Sequence, residues 1–590
     1  MRDVSQNQSI YFIMQRILIL GALILWGSGI FFTTAQASPD DASDPLHDAL
    51  RERIEMLREA PAGVLTGDMA SLHTIPQMAQ FYEERGFQPV WVAPMRQKMT
   101  AYALRAALRQ AEREGLQSAE YHLEAMQETL SALRTANPEE RAAHLIDLEL
   151  LCSDAFLLYA GHLLNGRVDP QRLMRSWNIE PRVMDLLDSF QAIDNGRAVH
   201  QALRSLRPQH DGYTALRTAL ARYRGIVQDG GWSIVNAGPT LERGMDDPRV
   251  AQLRARLETT ERLDPVPDSL ATVFDNPLHE AVLAFQDRHG LATDGRVGPA
   301  TLGALNVSAE ARVDQIIVNL ERVRWLPSDL GRRYVLVNIA SFGLYVVEEG
   351  EIVLDMPVVV GRPYRQTPVF SDEISYLVMS PYWHVPHSIA TRDKLPEFKR
   401  DPSAVARQGF QLFRGWSANA QPVDPMSIDW ESLHARNFPY RMRQNPGPNN
   451  ALGQVKFMFP NEHNVYLHDT PTQHLFGRPE RGFSSGCIRV AQPVKLAEYL
   501  LRENEGWDRA AIQRNMNRTA ERAVTLTERV PVHLQYWTAW ADSHGTVHFR
   551  NDIYNRDRDV QVALASRVTV PPVLHSLLES SNTPSARTTP

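Results

Sequence analysis

Cysteine is nearly missing from this chain: Cys152 and Cys487 are the only two in 590 residues. Two cysteines make no disulfide framework. Cys152 lies inside LELLCSDAFLLYAG, an apolar run at helical spacing, and reads as buried packing. Excess positive charge is absent too. A net charge of -7 and an isoelectric point near 6.3 argue against nucleic acid as a partner. There is no HExxH, and His463, His468 and His474 lack zinc-ligand spacing with an acidic partner, so no metal is expected. No glycine loop suited to cradling phosphates occurs, and no cofactor is expected. Long apolar runs number two. Residues 17–32 follow Arg16 and precede an A-x-A pattern at 35–37, which reads as a signal peptide over 1–37. The run falls just short of a membrane span, and an uncleaved N-terminal anchor is the alternative. No cysteine follows it, which argues against a lipoprotein. Either way the folded part is expected to leave the cytoplasm, with membrane contact only if the segment is uncleaved. The second run, residues 142–164, is broken by Asp147, Glu149 and Asp154 and reads as a buried bundle helix.

The chain is too long for one core, so three or four domains are expected. A hydrophobic share of 43% and a charged share of 22% suit a folded protein. Residues 42–241 repeat apolar side chains at three- and four-residue spacing and read as a helical domain. A compact unit follows over 242–308, with LHEAVLAFQDRHGLATDGRVGPATLGALN at its centre. Phe285-Gln286, Gly290-Leu291, Asp294-Gly295 and Gly298-Pro299 with Thr301 occur there in the order FQ, GL, DG, GP-x-T. This resembles the small three-helix peptidoglycan-binding domain; the matched residues are mostly packing and turn residues, which leaves both a glycan-binding and a spacer role open. Residues 309–332 read as a linker helix. From Tyr334 the period changes to two, giving a mainly-β domain over 333–500. Residues 387–452 lose strand character and read as a lid-like insertion. Residues 501–570 add strands that complete this region, and 580–590 read as a disordered tail.

The chemistry concentrates in YLHDTPTQHLFGRPERGFSSGCIRV, residues 466–490. A free thiol ionises near about 8.5, so a nucleophilic cysteine needs help from a base. His468, nineteen positions before Cys487, can supply it from a strand end. Gly486 lets backbone come close to a substrate, so amides near Cys487 can meet an oxyanion. Tyr466 shares a strand face with His468 and can add a donor, and the backbone carbonyl of Asp469 can orient the imidazole. His474, His384 and His387 carry weaker claims. Trp383 either lines the site or packs the sheet. Asn449, Asn450 and Gly453 read as the insertion's exit turn.

His468 together with Ser484-Ser485-Gly486-Cys487-Ile488-Arg489 resembles the signature of the L,D-transpeptidase catalytic domain, the YkuD type. Ser485 stands where many members carry a second histidine, which leaves the base role to His468. SSGC, the helical scaffold, the inserted peptidoglycan-binding unit and RQNPGPNNALGQVKFMFPN fit the large periplasmic, YcbB-like branch. The resemblance implies a multidomain α+β protein, with a mainly-β catalytic domain, a lid-like insertion, an α-helical scaffold domain and a three-helix peptidoglycan-binding domain. It implies periplasmic work on peptidoglycan stem peptides and glycan, alongside other wall synthases or carboxypeptidases. It implies Cys487 as nucleophile, His468, Gly486, Tyr466 and Asp469 around it, and substrate contacts from Arg489, Ser485, Ser484 and Trp383. Arg489 either pairs with a stem carboxylate or orients the loop. The implied reaction is a 3→3 cross-link through a cysteine thioester, with carbapenems expected to acylate the same sulfur. A hydrolytic Cys-His peptidase or L,D-carboxypeptidase, and a silent wall-binding scaffold, are the alternatives.

Overall fold

The computed structural model describes residues 45–574, apart from residues 60–71, 93–96, 175–176, 185, 192, 194–195, 416, 418 and 543. The targeting segment and the tail over 580–590 lie outside the described residues. Among those described, no helix is long and apolar enough to cross a membrane.

The N-terminal part is helical. Its axis is the helix Pro138–Asn165, buried from Ile146 onward along most of its length. The sequence NPEE starts it: Asn137 accepts from the Glu139 and Glu140 amides, and Glu140 returns the bond to the Asn137 amide. Cys152 is fully buried there. The acidic residues that interrupt the apolar run have partners. The Glu149 carboxylate accepts the amides of Val90, Trp91 and Val92, and Asp154 accepts those of His73 and Thr74. Each carboxylate pins a loop to the central helix, which is why charge is tolerated in this core.

Helix Asp211–Gln228 and helix Ala309–Arg324 flank the peptidoglycan-binding-like unit and share a core of Tyr213, Leu216, Leu220, Ile316 and Leu320. Within that unit, the motif residues build turns. Gln286 donates to Asp294 Oδ1 (3.0 Å), the Arg296 carbonyl (2.9 Å) and Thr301 Oγ1 (3.1 Å), and accepts the Gly295 amide (2.8 Å).

The C-terminal half is built on strands: β1 (Arg333–Asn338), β2 (Gly343–Glu348), β3 (Glu351–Gly361), β4 (Phe370–Met379), β5 (Trp383–His384), β6 (Phe410–Arg414), β7 (Pro422–Val423), β8 (Tyr440–Gln444), β9 (Val455–Met458), β10 (Leu467–His468), β11 (Gly482–Ser484), β12 (Ile488–Val490), β13 (Arg522–Gln535), β14 (Ala539–Ala541) and β15 (Val547–Phe549). The main sheet runs β11-β3-β12-β10-β9-β4-β13-β1-β2, and β2 pairs again with β3, so the sheet closes on itself. The long strand β3 makes the closure: residues 351–357 pair with β2, and Val358 and Val359 pair with β12. Alternate side chains fill the interior, among them Val337, Leu344, Phe457, Leu467, Ile488 and Val532.

Strand β13, from the C-terminal segment, is not an edge. It lies between β4 and β1, while β14 and β15 form a separate hairpin that joins the core of the two flanking helices. A local pattern of alternation marks a strand but says nothing of its place in the order. The inserted region holds its own four-stranded sheet, β5-β8-β6-β7, over a core of Phe398, Phe410, Leu412, Trp430 and Met442.

Candidate active site

The register of three strands assembles the site. Leu467 faces Ile488 on β12 and Phe457 on β9, and all three point into the core. Side chains alternate along a strand, so their neighbours share the opposite face. That face carries Tyr466 and His468, then Cys487 and Arg489, then Lys456, which pairs with His468 across β9 and β10. The sequence-predicted His468, Tyr466, Cys487 and Arg489 are therefore brought together.

His468 is buried. Its Nδ1 lies 2.5 Å from the Asp469 carbonyl oxygen. A carbonyl only accepts, so Nδ1 carries the proton and Nε2 keeps its lone pair. Burial lowers the imidazole pKa to about 3, assisted by the charges of Arg489 and Lys456 and opposed by the carbonyls of Asp469 and Leu452. The imidazole is neutral at neutral pH.

Cys487 is half-buried at the start of β12, and the Ile488 amide next to it donates to the Tyr466 carbonyl (3.1 Å). The thiol lies 3.8 Å from the Asn464 carbonyl. Burial raises its pKa; hydrogen bonds from the Tyr466 main chain and side chain and the charges of Lys456 and Arg489 pull the other way. The Tyr466 hydroxyl is itself pushed up by burial and by the neighbouring sulfur. Its ring stands 5.7 Å from that of His468. Among the described residues no hydrogen bond joins the imidazole to the sulfur. The two occupy diagonal positions on adjacent strands of one face.

The turn before Cys487 is clamped from both sides. Ser484 Oγ donates to the Cys487 carbonyl (2.5 Å) and accepts the Gly486 amide (3.1 Å). Thr367 Oγ1 donates to the Gly486 carbonyl (2.8 Å) and accepts the Gly361 amide (3.0 Å). Behind it, the Tyr554 hydroxyl donates to the Gly361 carbonyl (2.6 Å) and accepts the Thr367 amide (3.2 Å). Gly486 has φ +118°, which L side chains rarely adopt; a Cβ there would meet nothing nearer than 3.7 Å, so conformation rather than space calls for glycine.

Asp469 divides its work. Its carbonyl holds His468, and its carboxylate takes the amides of Gln454 (2.8 Å) and Thr470 (2.7 Å). Gly453 packs so close to that carboxylate that any Cβ would collide with it. Asn450 fixes the same exit turn through the carbonyls of Pro381 (3.0 Å) and Asn445 (2.9 Å).

Arg489 and Ser485 have partners of their own, and Trp383 lies apart. Arg489 Nη1 donates to Thr472 Oγ1 (3.0 Å). Ser485 is exposed and accepts from Arg365 Nη1 (2.8 Å), and Arg365 also grips Asp393 of the inserted region (2.5 and 3.0 Å). Trp383 sits on β5, half-buried against the inserted core, its ring 6.0 Å from Phe410. Thr367, Tyr554, Arg365 and Lys456 escaped the sequence reading. Only Lys456 had a local signal, as the one charge in the apolar strand VKFMF.

Comparison with known proteins places family models on these regions. Residues 332–530 match the "L,D-transpeptidase catalytic domain", residues 76–220 the "Scaffold domain" and residues 246–305 the "Putative peptidoglycan binding domain". A curated relative from Haemophilus influenzae, named "Putative L,D-transpeptidase", is 35% identical over 257 residues, 43% of this chain. The chain spans about half, 51%, of that relative's length. Among solved structures, the L,D-transpeptidase (residues 123–326) from Xylanimonas cellulosilytica is similar at 16% identity, covering 51% of this chain and 98% of that one, with a TM-score of 0.17. An L,D-transpeptidase from Stackebrandtia nassauensis is similar at 13% identity, covering 51% and 95%, with a TM-score of 0.19.

Proposed function

We propose that this chain, which carries an L,D-transpeptidase catalytic domain, a scaffold domain and a peptidoglycan-binding domain, is a transpeptidase that joins peptidoglycan stems 3→3 through a thioester on Cys487. The donor is a tetrapeptide stem. Cys487 Sγ attacks the carbonyl carbon of the third residue, and the thiol proton passes to His468 Nε2. The tetrahedral intermediate then expels the terminal D-alanine: the C–N bond breaks, and His468 returns the proton to the departing amine. The side-chain amine of a second stem attacks the thioester, loses its proton to His468, and the thiol is restored.

The resting state is neutral on both sides. Burial raises the thiol and lowers the imidazole, so the proton moves only as sulfur bonds to carbon. Nε2 need be basic only in the transition state. In this reading the Tyr466 hydroxyl and the Cys487 amide donate to the carbonyl oxygen as charge develops on it, and one such donor is worth about 3–4 kcal/mol. Ser484 and Gly486 shape the turn, while Ser485 and Arg489 orient its surroundings through Arg365 and Thr472. With wall-directed domains, the folded part works in the periplasm.

What supports this reading is one observation: Cys487, Tyr466 and His468 share a sheet face, with Nδ1 of the imidazole held by the Asp469 carbonyl at 2.5 Å. The test is to incubate the purified protein with disaccharide-tetrapeptide and weigh the products. A dimer lacking one D-alanine is expected, and Cys487→Ala should form none. Loss of D-alanine without any dimer would assign the protein to hydrolysis, and no product at all would leave a wall-binding scaffold.

A further inference from the structure

We infer that Lys456 recognises the terminal carboxylate of the donor stem; the inference rests on the transpeptidase reading above.

Lys456 is placed at odds with its surroundings. Strand β9 lies inside the closed sheet, between β10 and β4. Val455 and Phe457 fill the core, and Lys456 turns to the other face, between His468 on one side and Val378 on the other. Its side chain is half-buried, and burial lowers the ammonium pKa. Among the described residues its ammonium takes no hydrogen bond and no ion pair. It lies 5.3 Å from the centre of the Tyr466 ring. Glu521 is near enough for its charge to be felt but makes no ion pair with it, and its carboxylate is engaged by the Tyr382 amide (3.1 Å). A partly desolvated cation on the face that carries His468 and Cys487, with no ion pair among the described residues, is costly to keep. An anion supplied from outside removes that cost.

The reaction supplies one at the right place. His468 hands its proton to the amine of the departing D-alanine, and that residue's carboxylate is joined to the same α-carbon as the amine. A cation that receives it must stand beside His468 on the same face. The strand register gives Lys456 this position directly. Arg489 flanks His468 on the other side, with Nη1 held by Thr472 and Nε without a hydrogen-bond partner; of the two cations only Lys456 makes no hydrogen bond at all among the described residues.

The test compares D-alanine release from a tetrapeptide stem and from the same stem ending in a carboxamide, for the wild type, Lys456→Met and Lys456→Arg. A hydrogen bond to a charged partner corresponds to about a tenfold to hundredfold effect. The wild type should prefer the carboxylate by that factor in kcat/KM. Lys456→Met should lose the preference, mainly through KM, and Lys456→Arg should recover part of it. Alkylation of Cys487 by iodoacetamide, together with the melting temperature, reports on the thiol and the fold. If Lys456→Met keeps the wild-type preference, the inference falls. It falls equally if both substrates slow alike in step with alkylation, since Lys456 would then act on the sulfur alone. A wild type that releases no D-alanine from either substrate removes the transpeptidase reading and this inference with it.

Discussion

At the sulfur, four influences compete. Burial favours the thiol, while the Tyr466 hydrogen bonds, Lys456 and Arg489 favour the thiolate. Removing the Tyr466 hydroxyl takes away one of the latter, so the thiol pKa must rise. Tyr466→Phe is expected to move the alkylation profile of Cys487 to higher pH and to slow acylation roughly tenfold to a thousandfold if the hydroxyl also serves the oxyanion. Alkylation rates between pH 6 and pH 10, set beside carbapenem acylation rates, separate the two effects. An unshifted profile would deny the contact. These residues were legible in the sequence because alternation fixes faces: Tyr466 and His468 are two apart, and SSGC announces the nucleophile turn. Lys456 was equally visible as a charge in an apolar strand. It went unread because only the register, set by partners far along the chain, puts it opposite His468.

At the scale of elements, the turn between β11 and β12 that carries Cys487 is held by residues that no local pattern could have named. Thr367 is 119 positions from Gly486, and Tyr554 is 193 from Gly361. Both act through hydroxyls on backbone groups, a contact to which any polar side chain at that point in space is suited. Thr367 is fully buried, so Thr367→Val leaves the Gly486 carbonyl and the Gly361 amide without their partner. Each orphaned buried group costs about 1–3 kcal/mol. The variant is expected to stay folded with a lower melting temperature and to acylate at least tenfold more slowly, because the Cys487 amide is no longer held in place. Thermal melts and carbapenem mass labelling of the variant test this; unchanged acylation would show that Ser484 suffices to hold the turn. The sequence reads an insertion over 387–452 from the loss of strand period, while the sheet of the inserted region takes in β5 at Trp383–His384, before those bounds. That sheet was not legible, because β5 and β7 are two-residue strands, too short for alternation to show, and the five-residue β6 and β8 are interrupted by Arg414, Arg441 and Arg443.

Across the whole molecule, three of the buried imidazoles stay neutral in three different regions. His162 receives the Tyr121 hydroxyl contact (3.0 Å) and faces the Thr569 carbonyl (3.1 Å), joining the scaffold helix to the C-terminal segment. His289 stacks between Phe285 and Phe549, tying the peptidoglycan-binding unit to the C-terminal hairpin. His468 is the third. Burial lowers His162 and His468 to about 3 and His289 well below its ordinary value. These return contacts of the C-terminal segment were not legible, since nothing near residue 569 or 549 in sequence points to its partner. Their effect on stability has a definite sign. A folded pKa below the unfolded one means that the unfolded chain binds a proton the folded chain refuses. Stability is therefore undiminished above the ordinary imidazole value of about 6.5 and falls as the pH drops from there toward 3, by up to about 1.4 kcal/mol per pH unit for each group. Glu149, Asp469 and Asp557, whose carboxyls burial raises, oppose the trend. Each takes up its proton as the pH falls from its raised folded value toward the ordinary carboxylate range, so these groups offset part of the stability that the imidazoles lose. The melting temperature is expected to fall by several degrees between pH 7 and pH 5, and His162→Gln to flatten that slope. Melts of wild type and variant across this range decide it: a pH-independent wild type, or a variant with an undiminished slope, would mean that these imidazoles take up protons without opposing the fold.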